Sequence, residues 1–193
     1  MFHSVTWSVA VAAFSGGVSI WLASTRYQFF RSLWIPTSQA KLEEAEKLVM
    51  KTVKSPFQQR QVEIGNNLYI NTVHLHNNSQ TARLHETNLV LLHGFGAGIG
   101  FWLLNLDHLS SKFRNVYALD MLGCGRSSRP RFQAKTVGES ELFFIDSLEK
   151  WRQQEELDKI VLLGHSFGAY IAGLYAIKYP NVVEHVILAS PVG

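Results

Sequence analysis

The sequence predicts an α/β domain with a mostly parallel sheet, and two observations lead to this fold class. The first is a set of short and almost uninterrupted apolar runs, at residues 88–92, 115–119 and 159–163. Such runs are typical of strands that are buried on both faces of a sheet. The second is that segments with apolar residues at helical spacing lie between and after these runs. This alternation predicts parallel strands in one sheet, with helices packed against it.

The residues before the first apolar run predict a helix and a β-hairpin. The helix is expected to start at residues 36–38 and to carry its apolar side chains on one face: Leu42, Ala45, Val49 and Val53. Its mixed charges favour packing of this face on the domain over a position flat on a membrane. Residues 61–64 and 68–74 follow as two strands, because Gly65-Asn66-Asn67 between them is a turn signal.

The later part of the chain predicts two more helices and a last strand around a long loop. Residues 101–109 are expected to be helical, and residues 120–130 form a loop after the second apolar run. Thr136 and Glu139 have the spacing of a capping box. The helix that they open has these apolar positions: Leu142, Ile145, Leu148 and Trp151. Residues 186–189 predict the last strand.

Gly164-His165-Ser166-Phe167-Gly168 lies between the third apolar run and a helical pattern at residues 169–175. A strand, a sharp turn with a serine at its apex, and a helix form the nucleophile elbow of the α/β-hydrolase fold. Gly164 and Gly168 are expected to be required because a Cβ at either position would collide across the turn. Ser166 should have a strained backbone that exposes its Oγ. The sequence therefore predicts Ser166 as a catalytic nucleophile.

A serine nucleophile needs hydrogen-bond donors for the oxyanion, and removal of one donor costs roughly 2.7–4 kcal/mol. The backbone N–H of Phe167 is the first predicted donor. The second is the N–H of Phe95 in the segment 93–98, where Gly94 and Gly96 let the backbone approach a substrate. A phosphate-binding loop is disfavoured, because neither a P-loop lysine nor a G-x-G-x-x-G pattern is present.

Two histidines near the predicted site are assigned supporting roles. His93 is expected to brace the oxyanion segment by hydrogen bonding. His165 is expected to point away from the Ser166 hydroxyl and to pack. The remaining central histidines lack ligand spacing, so no metal site and no cofactor are predicted: His74, His76 and His85.

The loop at residues 120–130 offers one ion pair and one thiol. Asp120 and Arg126 could form an ion pair that steadies the loop, and a structural aspartate in a solvated loop is an equal alternative to a substrate role. Cys124 lies between two glycines, and a packing role is favoured over a nucleophilic one.

Charge and cysteine content exclude some functions. The net charge of +3 comes from scattered cations without an interleaved aromatic stripe, so nucleic-acid binding is not expected. A single cysteine excludes an intrachain disulfide and favours a reducing compartment.

The N-terminal segment is a candidate membrane or lipid-surface anchor. Residues 2–25 contain no Lys, Arg, Asp or Glu and are long enough to span a bilayer, although serines and glycines dilute the hydrophobicity. A buried or disordered extension and a processed targeting signal remain alternatives. The predicted organisation is an anchor or targeting segment at 1–33, an amphipathic helix and linker at 34–60, and the N-terminal part of a hydrolase domain at 61–193. Arg26 and Arg31 would keep that domain on the cytosolic side of the membrane.

The rest of a catalytic triad is missing from the sequence. The fold supplies its triad in the order Ser, Asp or Glu, His. After Ser166 the only acid is Glu184 and the only histidine is His185, at the start of a predicted strand. Catalytic groups lie beyond the carboxyl ends of parallel strands, so this pair is expected at the wrong edge. Either the chain is a shortened product of a longer enzyme, or it works without a triad.

Several strings closely resemble one lipid-handling branch of the α/β-hydrolases, and the third string below is specific to that branch. They are Leu91-Leu92-His93-Gly94-Phe95-Gly96, Tyr117-Ala118-Leu119-Asp120 and Gly125-Arg126-Ser127-Ser128-Arg129-Pro130-Arg131-Phe132. The branch includes an N-acylphosphatidylethanolamine and lysophospholipid lipase, a lipid-droplet co-activator of adipose triglyceride lipase, and mitochondrial cardiolipin deacylases. The resemblance extends from about Trp34 to Gly193.

The resemblance implies hydrolysis of phospholipid or lysophospholipid acyl esters, with acyl transfer to lysophosphatidic acid as a further activity. Ser166 falls on the nucleophile position, where the co-activator has asparagine, so the chain resembles the lipase. The alternative is a non-catalytic protein of the lipid surface with a lipase partner. The family's later acid, histidine and acyltransferase motif have no counterpart, so this chain is expected to be inactive and to expose Val186-Ile187-Leu188 at a sheet edge. The implied location is a lipid droplet, the endoplasmic reticulum or a mitochondrion.

Overall fold

The computed structural model describes residues 38–77 and 85–192. They contain a six-stranded sheet with the order β1-β2-β4-β3-β5-β6. The first two strands are antiparallel to their neighbours, whereas β4, β3, β5 and β6 run parallel to one another. The predicted mostly parallel α/β fold is confirmed. The strands are β1 (Phe57–Glu63), β2 (Tyr69–His76), β3 (His85–Leu92), β4 (Phe113–Leu119), β5 (Ile160–His165) and β6 (Val183–Ala189).

The helices follow the predicted order. They are α1 (Gln39–Met50), α2 (Leu103–Ser110) after a 3₁₀ turn at Ile99–Trp102, α3 (Val137–Gln154) and α4 (Phe167–Lys178). The predicted capping box of α3 is present: Thr136 Oγ1 accepts the Glu139 N–H at 3.2 Å, and the Glu139 carboxylate accepts the Thr136 N–H at 3.1 Å. Trp151 of α3 is fully buried and donates its Nε1–H to Thr72 Oγ1 at 3.0 Å.

The core lies on both faces of the sheet. In β3, Val90 and Leu92 belong to the cluster beneath α3 and α4, whereas Leu89 and Leu91 belong to the cluster beneath α2. All four side chains are buried. The continuous apolar run therefore has the predicted cause, because side chains of both orientations are excluded from water.

The predicted hairpin is present between β1 and β2. Its turn residues have left-handed backbones, with φ of 86° at Gly65 and 56° at Asn66 and Asn67. This conformation is the one that glycine and asparagine tolerate best. β1 begins at Phe57, four residues before the predicted start.

Helix α1 turns a different face to the domain from the one predicted. Leu42 and Val49 are exposed, at 38 % and 42 %, and Ala45 is also exposed. Glu43 and Glu46 are only partly exposed, and Met50 is buried. The reason is an ion pair, described below, that holds the acidic face of α1 against the loop after β4. The prediction of a buried apolar face was therefore wrong for Leu42, Ala45 and Val49, whereas Val53, which follows the end of α1, is buried as predicted.

The outermost strand β6 exposes its apolar residues as predicted. Val186, Ile187 and Leu188 are 39 %, 43 % and 45 % exposed. The N-terminal anchor predicted at 1–33 lies outside the described residues. Within residues 38–77 and 85–192, no helix combines the length and the apolar character needed to cross a membrane.

Candidate active site

Ser166 occupies the turn between β5 and α4 with φ of 53° and ψ of −118°. A positive φ is uncommon for a residue other than glycine and costs free energy, which the surrounding fold must supply. The Ser166 N–H donates to the Ala189 carbonyl at the end of β6, at 3.0 Å. Its own carbonyl accepts the N–H groups of Ala169 and Tyr170 at 3.0 and 3.1 Å. Hydrogen bonds to β6 and to the first turn of α4 therefore fix the backbone of the predicted elbow.

The two glycines of the elbow are required by backbone contacts. A Cβ on Gly164 would lie 2.2 Å from the Gly168 carbonyl oxygen. A Cβ on Gly168 would lie 2.4 Å from the Leu92 oxygen and 2.5 Å from the His93 oxygen. Since these neighbours are main-chain atoms, they cannot move aside as a flexible side chain would. The predicted steric role of both glycines is confirmed.

The segment 93–98 lies directly against the elbow. A Cβ on Gly94 would lie 3.3 Å from Ser166 Cβ and 3.1 Å from His165 Nδ1. The Ala97 N–H closes a turn on the Gly94 oxygen at 3.2 Å, and Gly96 within this turn has a φ of 69°. The Phe95 side chain is 89 % exposed. The fold thus brings the predicted oxyanion segment to the predicted nucleophile.

Phe167 is the first residue of α4, and the N-cap Ser166 makes no side-chain capping bond. The first N–H groups of a helix have no partner within the helix. They also carry the positive end of the helix dipole. The arrangement suits stabilisation of a negatively charged oxygen, although the donor roles of the Phe95 and Phe167 amides stay predictions.

His93 is buried and uses both ring nitrogens in hydrogen bonds. Its Nδ1 is 2.7 Å from the Gly94 oxygen, and its Nε2 accepts the Met121 N–H at 3.1 Å. This pattern requires a neutral ring with the proton on Nδ1. Burial is the main cause that lowers the pKa of His93. His93 therefore braces the oxyanion segment against the loop after β4, as predicted.

His165 packs against an aromatic ring, as predicted. Its ring stacks on Phe101 with centroids 4.4 Å apart and an interplanar angle of 24°. Its Nδ1 is buried without a hydrogen-bond partner among the described residues. Stacking therefore fixes the position of this ring beside the elbow.

Asp120 organises the site through main-chain donors, which the sequence did not predict. Its Oδ1 accepts the Ile99 N–H at 2.8 Å, and its Oδ2 accepts the Arg126 N–H at 2.8 Å. Asn71 of β2 donates from Nδ2 to the same Oδ2 at 2.8 Å. Asp120 is 1 % exposed, so it has the structural role that was one of the alternatives, but it is not solvated. The sequence holds no local signal for this hub, since Asn71 is one of several polar residues in β2, together with Thr72 and His74.

The predicted ion pair between Asp120 and Arg126 is replaced by another. The Arg126 guanidinium lies 2.8 Å from Glu46 and 3.2 Å from Glu43, both on α1. Lys47 and Arg126 hold the pKa of Glu43 below its ordinary value. Asp120 instead binds Arg126 through the main chain, because the Arg126 side chain turns towards α1.

The surroundings of the Cys124 thiol disfavour a nucleophilic role. Burial raises the pKa of Cys124, and the charge of Asp120 adds to this effect. A raised pKa disfavours the reactive thiolate. Within residues 38–77 and 85–192, no group of three or more His, Cys, Asp or Glu side chains is arranged to hold a metal ion.

Glu184 and His185 lie near the start of β6, whereas Ser166 follows the end of β5. The parallel register pairs His185 with Val161 at the second position of β5. Catalytic groups of such sheets lie beyond the carboxyl ends of the strands. The pair is therefore at the opposite edge from Ser166, as predicted.

Residues 87–192 match the family model described as the alpha/beta hydrolase fold. The chain belongs to this family. It is 43 % identical over 182 residues to the 1-acylglycerol-3-phosphate O-acyltransferase ABHD5 of Rattus norvegicus, covering 94 % of this chain and 49 % of that protein. It is 40 % identical over 158 residues to the (lyso)-N-acylphosphatidylethanolamine lipase of Bos taurus, covering 81 % of this chain and 44 % of that protein. The resemblance to the lipid-handling branch is therefore confirmed.

Solved structures of other proteins share the fold. Naproxen esterase from Bacillus subtilis superimposes with a TM-score of 0.68 at 16 % identity, covering 82 % of this chain and 52 % of that chain. The chain spans about half or less of the length of the curated relatives that it matches, with 41 % for the enzyme of Arabidopsis thaliana.

Proposed function

We propose that this chain carries the nucleophile and the oxyanion donors of a serine hydrolase that cleaves acyl esters of phospholipids or lysophospholipids. One observation carries the proposal: Ser166 sits at positive φ before α4, in contact distance of the segment 93–98. A serine held in a strained turn, at the start of α4 and beside the segment 93–98, is suited to acyl transfer.

In the proposed reaction, Ser166 Oγ forms a bond to the ester carbonyl carbon while its proton passes to a base. The carbonyl oxygen becomes negatively charged, and the amides of Phe95 and Phe167 donate to it. Collapse of this intermediate expels the lipid alkoxide, which takes up a proton, and leaves the acyl group on Ser166. Water then yields the fatty acid, or the hydroxyl of a lysophospholipid accepts the acyl group.

Lipid substrates are supported by a row of aromatic rings that leads away from the elbow. Edge-to-face contacts join neighbouring rings at centroid distances of 5.0–5.1 Å, along Phe167, Phe144, Phe143 and Phe132. Phe132 at the far end is 51 % exposed. A partly exposed aromatic row offers an acyl chain a surface that water does not solvate well. The two relatives are also named for acylglycerol phosphate and phospholipid chemistry.

The second candidate is a non-catalytic role at a lipid surface, with a lipase as partner. The contacts of the two histidines next to Ser166 favour this role. Each histidine would have to break its present contacts before it could act as the general base for Ser166. His93 already uses both nitrogens, and His165 stacks on Phe101.

Active-site labelling separates the two candidates. We expect slow, covalent labelling of the chain by a fluorophosphonate at Ser166, mapped by peptide mass spectrometry. Ser166→Ala should abolish the labelled peptide, whereas Ser111→Ala removes an exposed hydroxyl elsewhere and should leave labelling unchanged. Equal labelling of the wild type and Ser166→Ala would exclude Ser166 as the nucleophile and favour the non-catalytic role.

The location at an intracellular lipid surface is part of the same proposal. The uncharged residues 2–25 would provide the anchor, with the hydrolase domain on the cytosolic side. Deletion of these residues should move the protein from the membrane pellet to the supernatant. Unchanged sedimentation would show that the anchor lies elsewhere.

A further inference from the structure

A groove of about 540 Å³ opens between α3, the turn of the β1–β2 hairpin and the loop after β4. Ligand pockets of proteins commonly have volumes of about 300–1,000 Å³. The floor of this groove is apolar and is formed by Leu68, Leu122, Leu142 and Phe143. None of its lining residues belongs to the elbow or to the segment 93–98, so the groove is separate from Ser166.

The rim of the groove carries three cations: Arg131, Lys135 and Lys150. All three are exposed, and within residues 38–77 and 85–192 none of their charged groups forms an ion pair. Unpaired cations beside an apolar floor are an arrangement that suits an amphiphile with a negative headgroup.

The two acids of the groove are already engaged. Asp146 pairs with Lys178 at 2.7 Å. Glu139 accepts the N–H groups of Lys135 and Thr136 at 2.7 and 3.1 Å, and these bonds lower the pKa of its carboxyl group. The charges that remain available to a ligand are therefore positive.

The groove lies at the same edge of the sheet as Ser166 but at some distance. The antiparallel pair Thr72 and Leu119 places the hairpin turn at the carboxyl end of β4. From β2 to β5 there are three strand steps, which correspond to roughly 14–15 Å. Phe143 lines the groove and also belongs to the aromatic row that reaches Phe167.

We propose that this groove binds a single-chain lipid with an anionic headgroup. The headgroup would lie against Arg131, Lys135 and Lys150, and the acyl chain would cover Leu142 and Phe143. This ligand site goes beyond the proposed function, since it does not require Ser166 to react.

Three probes distinguish the contributions of head and tail to binding. Oleoyl lysophosphatidic acid, which has both, should bind the full chain when titrated below its critical micelle concentration. Oleoyl lysophosphatidylcholine lacks the net negative charge, and glycerol 3-phosphate lacks the tail. Each of these two should bind at least about tenfold more weakly, since each loses one of the two kinds of contact. Equal affinity for the two lysolipids would overturn the proposal.

Charge-neutral variants locate the site. Arg131→Gln/Lys150→Gln should weaken binding of lysophosphatidic acid roughly tenfold and reduce its dependence on salt. The matched control Lys51→Gln/Lys54→Gln removes two exposed cations outside the groove and should bind like the wild type. Circular dichroism of each variant checks that the fold is retained.

Ser166→Ala separates this site from the proposed function. It should abolish fluorophosphonate labelling and leave the affinity for lysophosphatidic acid unchanged. If Ser166→Ala weakens binding and the groove variant does not, the lipid occupies the elbow and the groove proposal is wrong. If the fluorophosphonate does not label the wild type but lipid binding still depends on Arg131 and Lys150, the proposed function is wrong and the lipid site in the groove is supported.

Discussion

His93 Nε2 accepts the backbone N–H of Met121 at 3.1 Å, so a side chain that follows β3 holds the main chain that follows β4. The Nδ1 of the same ring is 2.7 Å from the Gly94 oxygen. One buried imidazole therefore sets the distance between the oxyanion segment and the loop that contains Asp120. A second proton on this ring would oppose the Met121 N–H.

The protein should become less stable as the pH is lowered, because of His93. Burial lowers the pKa of His93 below its ordinary value of 6.5, so below about pH 6.5 the unfolded chain binds a proton that the folded chain does not. The free energy of unfolding should therefore decrease as pH falls from 6.5 towards the folded pKa, by at most about 1.4 kcal/mol per pH unit. Urea denaturation between pH 7.5 and 5.5 measures the slope.

His93→Gln should show a shallower slope over the same range. Burial also lowers the pKa of His74, which acts in the same direction, so His74→Gln is the matched comparison. An unchanged slope in His93→Gln would contradict the assignment of the acid sensitivity to His93.

Gly168→Ala and Gly173→Ala should have opposite effects within the same helix. The Cβ at residue 168 meets main-chain oxygens at 2.4 and 2.5 Å, whereas a Cβ at residue 173 meets no atom within 4 Å. We expect Gly168→Ala to lose about 1–3 kcal/mol or more of unfolding free energy. Gly173→Ala should gain about 0.5–1 kcal/mol, because alanine is the better helix former. Chemical denaturation measures both, and a stable Gly168→Ala would refute the steric role.

Asp120→Asn should destabilise the loops around the site. The carboxylate accepts three hydrogen bonds, from the N–H groups of Ile99 and Arg126 and from Asn71 Nδ2. An amide group would direct its NH₂ at one set of these donors and leave them unsatisfied, at a cost of about 1–3 kcal/mol. Thermal unfolding beside the exposed control Glu44→Gln measures the loss. Equal melting temperatures would show that the hub is dispensable.

Arg126→Met should loosen α1. The Arg126 and Glu46 side chains are 14 % and 11 % exposed, so the ion pair is mostly but not fully buried. Losses of roughly 1–3 kcal/mol are expected, because Glu46 is left partly buried without its partner. Hydrogen exchange should increase within Gln39–Met50 and not in α4. Glu46→Gln in the Arg126→Met background should recover part of the loss, and no recovery would exclude the pair as its cause.

The elbow could be predicted because its signals are local. Gly164 and Gly168 flank Ser166 within five residues, and an apolar strand precedes them directly. The capping box at Thr136 is equally local. In each case the residues that interact are also neighbours in the sequence, so their spacing alone defines the structure.

The orientation of α1 and the partners of Asp120 could not be predicted in this way. The apolar pattern of α1 indicates burial of Leu42, but Arg126, which is eighty positions beyond Glu46 in the sequence, holds the acidic face inward. Asp120 accepts hydrogen bonds from main-chain N–H groups. Nearly every residue has such a group, so the sequence does not indicate which of them bind Asp120. Ion pairs between distant residues and hydrogen bonds from main-chain donors leave no spacing pattern in the sequence.

The hydrogen bond from the Ser166 N–H to the Ala189 carbonyl makes the elbow dependent on the outermost strand. Each time β6 frays, the amide of residue 166 becomes free to exchange with deuterium. The proton of this single amide is thus a spectroscopic reporter for the outer boundary of the sheet. Any molecule that clamps the exposed side of β6 would slow its exchange without touching the serine hydroxyl.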